Sequence, residues 1–482
     1  MTSRMHTHLR TGRTTPVPAL ILMIAVVVAI PLFPGAAAMT PGAGAASGPS
    51  PLHKVLTLDD ARRLALSSDE RVQQMTEAVA GARADVMNAG SGRLPQLELG
   101  GTWTNNIKKP SFFLPADMAA GLGGATSVEM GGDWDLQAAA TLTLNLWTAG
   151  RLSAAVGATT EAAVATAWQQ QVVRDAVVFA VEAGYYGTLL AAEQVEINEQ
   201  ALAASTEALR ITQAAFDQGN ASRFDLLRAR VEHTNREAPA IQARNDLRRA
   251  MLQLRRACGL DAGTALELAD ELDTVAPPAP LNELLAAMRD DSPELKSLAH
   301  AAAAQRMSVS LAEAARGPMV QLQGRYALQG QWDDDLFPDS NDAVSSASAA
   351  LAVSMPVFDG FATKASIRRS KADLRTAELE LERVTRDREL SVRQARLELE
   401  NALTALDGRH EGVALAEEAY RLALVRIDNG LATPLERMDA ELALIEARVQ
   451  LAASLYNCNL AAANLKLAVG GAAASMPATE EN

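Results

Sequence analysis

The sequence predicts a mainly α-helical protein built from two copies of one unit, each with a pair of strands and one long helical hairpin. Three observations lead to this fold class. Two parts of the chain resemble one another at a constant separation of 211 residues. Two stretches rich in helix-forming residues, Ser153–Phe216 and Phe358–Thr433, contain no proline. Shorter segments in front of each stretch alternate apolar and polar residues, which is typical of strands.

Composition excludes several classes of protein. The chain has 482 residues and a formal net charge of -14, which argues against nucleic-acid binding because phosphate contacts need a basic surface. Cys258 and Cys458 are the two cysteines, too few for a disulfide-rich scaffold or a zinc ribbon. Their places in the repeat set them about 16 Å apart along a helix, so no bridge between them is expected.

The first residues predict export. Residues 1–38 combine three arginines, an apolar run too short to span a bilayer comfortably and small residues with Ala-x-Ala spacing, as in a cleaved signal peptide. Cleavage is expected between residues 36 and 46. The alternative, an N-terminal membrane anchor, is disfavoured by the short apolar run. No later stretch is apolar enough for a membrane helix, so any entry into a membrane would have to use strands.

The internal repeat defines the predicted domains. Gly219 and Gly430 are 211 residues apart, and so are Gly259 and Gly470, which close the helical stretches. At the front of each copy the separation is 223 residues, as between Pro95 and Pro318, so the first copy carries about 12 extra residues in a loop. The predicted domains are a first repeat (47–260), a proline-rich linker (261–280), a second repeat (281–470) and a disordered tail (471–482).

Each copy begins with a moderate helix and two extended segments. The helix is expected from Leu58 to about Ala89 and from Leu281 to about Ala315, each ended by glycine and proline. The segments Leu94–Trp103 and Leu136–Trp147 then form a strand pair with a long loop, and residues 319–326 and 347–358 repeat it.

Each copy ends in a long helical hairpin. A helix over Ser153–Phe216 would be about 96 Å long, and the glycine turns at Gly219 and Gly430 reverse the chain. Apolar residues from Met438 to Leu467 recur in steps of four and three, a heptad pattern. The matching helix contains Pro239, which should kink it or free a carbonyl.

Four strands per chain cannot close a barrel, since closure needs at least about eight strands. If the strands cross a membrane, several chains must share one barrel, because an open edge in lipid leaves backbone groups unpaired. Two chains would give a filled barrel and three would leave a pore. Four of the five tryptophans lie in or beside the strands, as in a membrane-interface girdle: Trp103, Trp134, Trp147 and Trp332. The alternative is an exported structural coiled-coil protein without a pore.

Taken together, these features resemble the TolC family of outer-membrane efflux proteins. The resemblance covers nearly the whole chain that would remain after cleavage of the signal peptide. The resemblance rests on the repeat, on Pro356-Val-Phe-Asp-Gly360 between strand and long helix, and on two glycine turns, followed by Asp225-Leu-Leu and Glu436-Arg-Met-Asp439. It implies a homotrimer with a twelve-stranded β-barrel in the outer membrane and a twelve-helix α-barrel tunnel across the periplasm. The linker and the termini would form an equatorial belt. The implied function is an exit duct for an inner-membrane transporter or a type I secretion system, joined by a periplasmic adaptor protein.

The resemblance also implies functional residues at the helix turns. The turn tips are expected to contact the adaptor and close the tunnel: Gly219, Asn220, Gly430 and Leu431. Asp225 and Asp439 match acidic residues at the entrance, where three carboxylates around one lumen would attract cations. The alternative is two exposed acids at helix starts, favoured by the helix dipole.

The gate departs from the family pattern. Ile427 and Ala432 stand where a tyrosine and an arginine are expected, so the family's gate contacts lack these two side chains, and Arg223 or Arg437 would have to replace them. The sequence contains no phosphate-binding loop, nucleophile elbow or zinc-protease motif. We therefore expect no enzyme activity, no metal and no cofactor.

Overall fold

The structure is a computed structural model that describes residues 54–113, 127–333, 343–429 and 431–471. The predicted signal peptide and the tail after Gly471 lie outside the described residues, as do Gly430 and the inner parts of both strand-pair loops. The chain divides into two units. One contains Leu94–Leu146 and Val320–Val353 and is mostly strand. The other contains the helices and the segments around them.

The strand unit contains the four long strands that the sequence predicts. They are β2 (Gln96–Asn105), β5 (Trp134–Trp147), β7 (Met319–Trp332) and β8 (Ala343–Ser354), and they lie side by side in the order β2-β5-β7-β8. Strands β2 and β5 are antiparallel. The outer strands β2 and β8 each have one partner among the described strands.

The two faces of the sheet differ in polarity. Leu97 lies opposite Leu142, and Leu99 lies opposite Ala140, so one face of the β2–β5 pair is apolar. On the other face Gln96 lies opposite Thr143, and Glu98 lies opposite Thr141. The leucines of the apolar face are exposed, from 39% at Leu142 to 67% at Leu97, and they include Leu99 and Leu146. This alternation is the pattern that the sequence analysis used to predict the strands.

Four short strands were missed. β3 (Ser111–Phe113) and β4 (Ser127–Glu129) pair within the loop that carries the extra residues of the first copy. β1 (Lys54–Leu56) and β6 (Leu266–Leu268) form a parallel pair in the helical unit, so the predicted linker contains a strand. Three residues are too few for a periodic pattern to stand out from the surrounding loop.

The moderate helix of each copy is broken, and here the prediction of one continuous helix was wrong. The first copy has α1 (Leu58–Ser68) and α2 (Glu70–Ser91), and the second has α5 (Leu281–Asp291) and α6 (Pro293–Ala314). Asp69 separates the first two because its backbone is extended and its carboxylate accepts the N–H groups of Arg71 and Val72, which caps α2.

The long hairpins are present as predicted. The first consists of α3 (Arg151–Asp217) and α4 (Arg223–Ala257), and the second of α7 (Ala362–Asp428) and α8 (Pro434–Val469). With 67 residues each, α3 and α7 are about 100 Å long. Pro239 lies inside α4 without ending it, although its missing N–H deprives the Asn235 carbonyl of its helical donor.

The heptad pattern predicts the buried face of α8 only in part. Leu442 belongs to the predicted seam but is 41% exposed, whereas Leu444 is buried. The reason is that α8 packs against both α7 and α3, so its buried positions come from two sides of the helix.

Each repeat has its own hydrophobic core. In the first, β1, α1, α3 and α4 enclose a cluster that includes Leu56, Tyr185 and Leu254. In the second, α5, α6, α7 and α8 enclose one that includes Met288, Val392 and Leu465. Among the described helices, none is long and apolar enough to cross a membrane. Cys258 and Cys458 are buried, and the Cys258 thiol donates to the Ala61 carbonyl oxygen.

The linker is fixed to the first core by polar contacts. The Tyr185 hydroxyl lies 2.9 Å from the Leu56 carbonyl oxygen and 2.8 Å from Oδ2 of Asp270, and the Leu58 amide donates to the same carboxylate over 2.8 Å. Asp270 thereby joins the linker both to the amide of Leu58 at the start of the first repeat and to Tyr185 on the long helix of the first hairpin. This part of the linker is an ordered element of the fold.

Gly470, which closes the second repeat, should be far more sensitive to substitution by alanine than its neighbour Gly471. Gly470 has φ +95°, and a Cβ built on it would lie 2.7 Å from the Ser292 Cα. We expect Gly470→Ala to lower the free energy of unfolding by about 2–3 kcal/mol, from the left-handed backbone and the close contact together. Gly471 has nothing within 4 Å of such a Cβ and gives the control Gly471→Ala. Equal melting temperatures for the two variants would contradict this explanation.

Candidate channel entrance

The turn of the first hairpin is formed by local backbone contacts. Gly219 has φ +78°, as the predicted glycine turn requires. Its amide donates to the Phe216 carbonyl over 2.9 Å, and the Asn220 amide donates to the Ala215 carbonyl over 2.8 Å. These bonds satisfy carbonyls left over at the end of α3 and reverse the chain toward α4.

The turn of the second hairpin is described on both sides of Gly430, which itself lies outside the described residues. The Leu431 amide donates to the Arg426 carbonyl over 2.7 Å, and the Leu431 side chain is largely exposed. The Thr433 hydroxyl accepts the Glu436 amide and so caps α8. Both hairpins therefore end in short turns with small or exposed residues.

Asp225 has a structural role at the start of α4. Its carboxylate accepts the Ser222 amide at 3.2 Å and the Ser222 hydroxyl at 2.6 Å, while the Asp225 amide donates to that hydroxyl. This reciprocal arrangement is a capping box. The Ser222 hydroxyl, together with the Ser222 amide, holds the pKa of Asp225 below its ordinary value. The carboxylate is thus ionised and engaged with its own helix.

Asp439 differs from Asp225. It is exposed on α8 and makes no hydrogen bond or ion pair with any residue that the structure describes. Its carboxylate is therefore accessible to ions in solution. Arg223 is exposed at the start of α4.

One groove collects several of the predicted residues. It lies between the first hairpin and α8, and its lining includes Asn220, Asp225 and Arg437. Its walls on α3, α4 and the turn between them carry small side chains, among them Ala208, Ala215, Ala221 and Ala229. Arg223 and Asp439 are not part of this lining, so the structure brings together some of the predicted entrance residues and leaves the others outside the groove.

The sequence analysis did not predict a cluster of mainly charged residues beside this groove. It consists of Glu232 and Arg236 on α4, Tyr420 on α7, and Arg437 and Glu441 on α8, and we call it the cross-hairpin cluster. Glu232 and Arg236 are paired at 2.7 Å, and Arg437 and Glu441 at 3.3 Å. The spacing of four residues within each pair is visible in the sequence, but nothing in the sequence shows that Glu232 lines the same groove as Arg437 and Glu441.

Burial affects the titration of this cluster. The Glu441 side chain is 14% exposed, and its desolvation raises its pKa, against the opposing effects of Arg437 and Arg236. Burial also raises the pKa of Tyr420, with a further contribution from Glu441. The cluster is therefore a set of partly buried charges that compensate one another across two hairpins.

The tryptophans occupy different environments. The rings of Trp103 and Trp134 lie 5.5 Å apart at 44°, beside the loop ends of β2 and β5. Trp332 is 6% exposed and sits where Gly132 comes so close that a Cβ there would lie 2.5 Å from the Trp332 carbonyl oxygen. Trp147 ends β5 and is 60% exposed. Trp103 and Trp147 thus have exposed ring surface, whereas Trp332 is packed.

The fold described above is that of a known protein family. The chain is a member of the outer membrane efflux protein family, which matches residues 61–260 and 284–471. This confirms the resemblance drawn from the sequence and assigns the protein to the outer membrane. The mainly helical fold with four long strands is also confirmed.

Particular relatives come from several bacteria. The chain is 26% identical over 295 residues to the alkaline protease secretion protein AprF of Pseudomonas aeruginosa, covering 59% of this chain and 60% of the relative. It is 26% identical over 276 residues to the outer membrane efflux protein BepC of Brucella suis, covering 57% and 59%. The similarity thus spans about 60% of these curated relatives. The outer membrane protein VceC of Vibrio cholerae shares the fold, with a TM-score of 0.70, 18% identity and coverage of 86% of this chain and 96% of VceC.

Proposed function

We propose that three copies of this chain form an outer-membrane channel, the passive exit duct of a tripartite efflux or type I secretion system. The observation that carries the proposal is the four-stranded sheet, whose β2–β5 pair has an exposed apolar face and whose outer strands each have one described partner. In lipid, both outer strands need a neighbour, and adjacent copies would supply it. Three copies would close a twelve-stranded barrel.

The partners follow from the same arrangement. The long hairpins are much longer than a membrane is thick, so they would extend into the periplasm. The groove beside the first turn, with its alanine-lined walls, suits close helix packing by an adaptor protein that also contacts the turn residues. An inner-membrane transporter would supply the energy. AprF is named a protease secretion protein and BepC an efflux protein, so both systems are included in the proposal.

The alternative of an exported coiled-coil protein without a pore leaves the apolar sheet face without a function. A soluble protein would hold such a surface against its own core. Bilayer recording of the purified protein tests the choice. Stepwise ionic conductance supports the channel, and the absence of conductance from protein correctly inserted in the bilayer contradicts it.

Asp439 gives the first prediction for this channel. We expect Asp439→Asn to weaken block by multivalent cations by about tenfold or more, because a trimer loses three charges and a unit charge about 4 Å away contributes roughly 1 kcal/mol even in water. Bilayer recording with hexamminecobalt as the blocker measures the effect. Glu207→Gln is the control, since Glu207 is an exposed acid already paired with Arg210. Unchanged block in Asp439→Asn would remove this residue from the entrance.

A further inference from the structure

The segment that joins β8 to α7 exposes an apolar surface. Val357 is 93% exposed, Phe358 78% and Phe361 66%. The rings of Phe358 and Phe361 lie 5.7 Å apart at 82°, edge to face, so the two side chains form one surface. Phe358 corresponds to Trp147 at the separation of 211 residues, and Trp147 is also exposed. Both repeats therefore place an exposed aromatic side chain where a long strand leads into a long helix.

Two basic side chains follow this surface on one face of α7. Lys364 and Arg368 are four residues apart, so they are neighbours on the helix surface. Nζ of Lys364 lies 5.8 Å from the centroid of the Phe361 ring, which joins the charges to the aromatic pair. Both basic side chains are exposed, and neither forms an ion pair with any carboxylate that the structure describes. We call Val357, Phe358, Phe361, Lys364 and Arg368 the junction patch.

The first repeat shows that the fold does not need these two charges. Lys364 corresponds to Ser153 and Arg368 to Gly157, yet α3 has the same 67 residues as α7. At Gly157 a Cβ would lie 3.4 Å from the Met307 side chain, so α6 covers that position of the first repeat. Exposed positive charges that the equivalent helix lacks, on a chain with a net charge of -14, indicate a contact outside the chain.

The spacing of the junction patch matches the layers of a membrane surface. Lys364 and Arg368 lie three and seven residues beyond Phe361, so about 5 and 10 Å further along α7. The headgroup layer on each side of a bilayer is roughly 5–8 Å thick. Aromatic side chains prefer the boundary between hydrocarbon and headgroups, and lysine and arginine extend toward the headgroups. With Phe358 and Phe361 at that boundary, the two cations stand at the level of the phosphates.

We propose that the junction patch binds an anionic phospholipid of the periplasmic leaflet of the outer membrane. The lipid phosphate lies between Lys364 and Arg368, and the acyl chains lie against Phe358 and Phe361. The proposal rests on the proposed function, which places the long helices in the periplasm and therefore the junction of strand and helix at the periplasmic leaflet. Lipid A also carries phosphates, but it occupies the opposite leaflet.

Lys364→Gln combined with Arg368→Gln tests this binding site. Native mass spectrometry of the full protein in mild detergent measures the binding of phosphatidylglycerol and of phosphatidylcholine, whose net charge is zero. We expect the wild type to bind phosphatidylglycerol at least about tenfold more tightly, and the double variant to bind both lipids equally. Arg210→Gln combined with Arg421→Gln is the matched control, because it removes as many charges from exposed positions and should keep the preference.

A fluorescent label measures contact with the membrane without removing any charge. In nanodiscs that contain spin-labelled phosphatidylglycerol, a fluorophore attached to Val357→Cys should be quenched. A fluorophore on Leu379→Cys should not be, because Leu379 is exposed about 25 Å beyond the start of α7. Cys258 and Cys458 are buried and stay unlabelled.

Several results would overturn the lipid site. They are an unquenched label at Val357→Cys, equal binding of the two lipids by the wild type, a preference retained in the double variant, and displacement of phosphatidylglycerol by an equal amount of lipid A. A double variant that loses the mass of the assembled particle would make a second copy of this chain the occupant. A wild type that forms no particle of several chains would instead overturn the proposed function.

Discussion

Replacing Leu99 with arginine should prevent the protein from accumulating in the outer membrane, whereas the same replacement at Glu98 should be tolerated. Leu99 lies on the exposed apolar face near the middle of β2, opposite Ala140. An arginine on the lipid face at mid-depth of a membrane barrel costs about 2–4 kcal/mol per chain. Three chains would multiply the penalty. The measurement is the amount of protein in the outer-membrane fraction after separation from the inner membrane.

Glu98 is the control position for Leu99. It is the neighbouring residue on the same strand and lies on the other face, opposite Thr141. A polar face turned toward a water-filled lumen accepts arginine without entering lipid. If both variants reach the outer membrane equally, the apolar face is not a lipid contact. If both fail equally, the defect lies in the strand rather than in the face.

Removing the buried carboxylate of Glu182 should have the largest effect on the stability of the helical unit. Glu182 on α3 has a side chain that is 3% exposed and forms an ion pair with Arg62 on α1. Glu182→Ala leaves the Arg62 guanidinium largely buried, with Asp59 as its remaining ion-pair partner. Breaking a buried pair from one side typically costs about 3–5 kcal/mol. Thermal unfolding should show a lower melting temperature, and proteolysis should cut the segment around α1 first.

A rescue variant separates lost charge compensation from lost packing. Arg62→Met combined with Glu182→Leu replaces both charges with apolar side chains of similar size, and we expect it to recover most of the lost stability. Glu418→Ala removes an exposed ion pair with Arg421 and should change the melting temperature little. A double variant as unstable as Glu182→Ala would show that the charge left behind is not the cause.

The sequence predicts the repeat and the hairpins well because the patterns that indicate them extend over many residues. The separation between Gly219 and Gly430, and the absence of proline over Ser153–Phe216, constrain the chain over many residues at once. Strand faces follow from alternation because β2 and β5 are long enough to show it. In each case one local pattern extends over the whole element.

What the sequence does not show depends on contacts between distant residues. The helix breaks at Asp69 because the Asp69 carboxylate caps the helix that follows. The local composition is compatible with both a broken and a continuous helix, so the sequence alone does not predict the break. The buried face of α8 is set by two neighbours at once, so one heptad seam describes it incompletely. The cross-hairpin cluster looks like two ordinary i,i+4 pairs until the fold places Glu232 of the first hairpin in one groove with Arg437 and Glu441 of the second.

The native mass of the mature protein, extracted from isolated outer membranes in mild detergent, tests the central claim most directly. The sheet of one chain has two outer strands that need neighbours in lipid. A stable particle with three times the mass of the mature chain, found in the outer-membrane fraction and released only by detergent, is the predicted result. A monomer, or protein released by washing without detergent, would contradict the shared barrel and with it the channel.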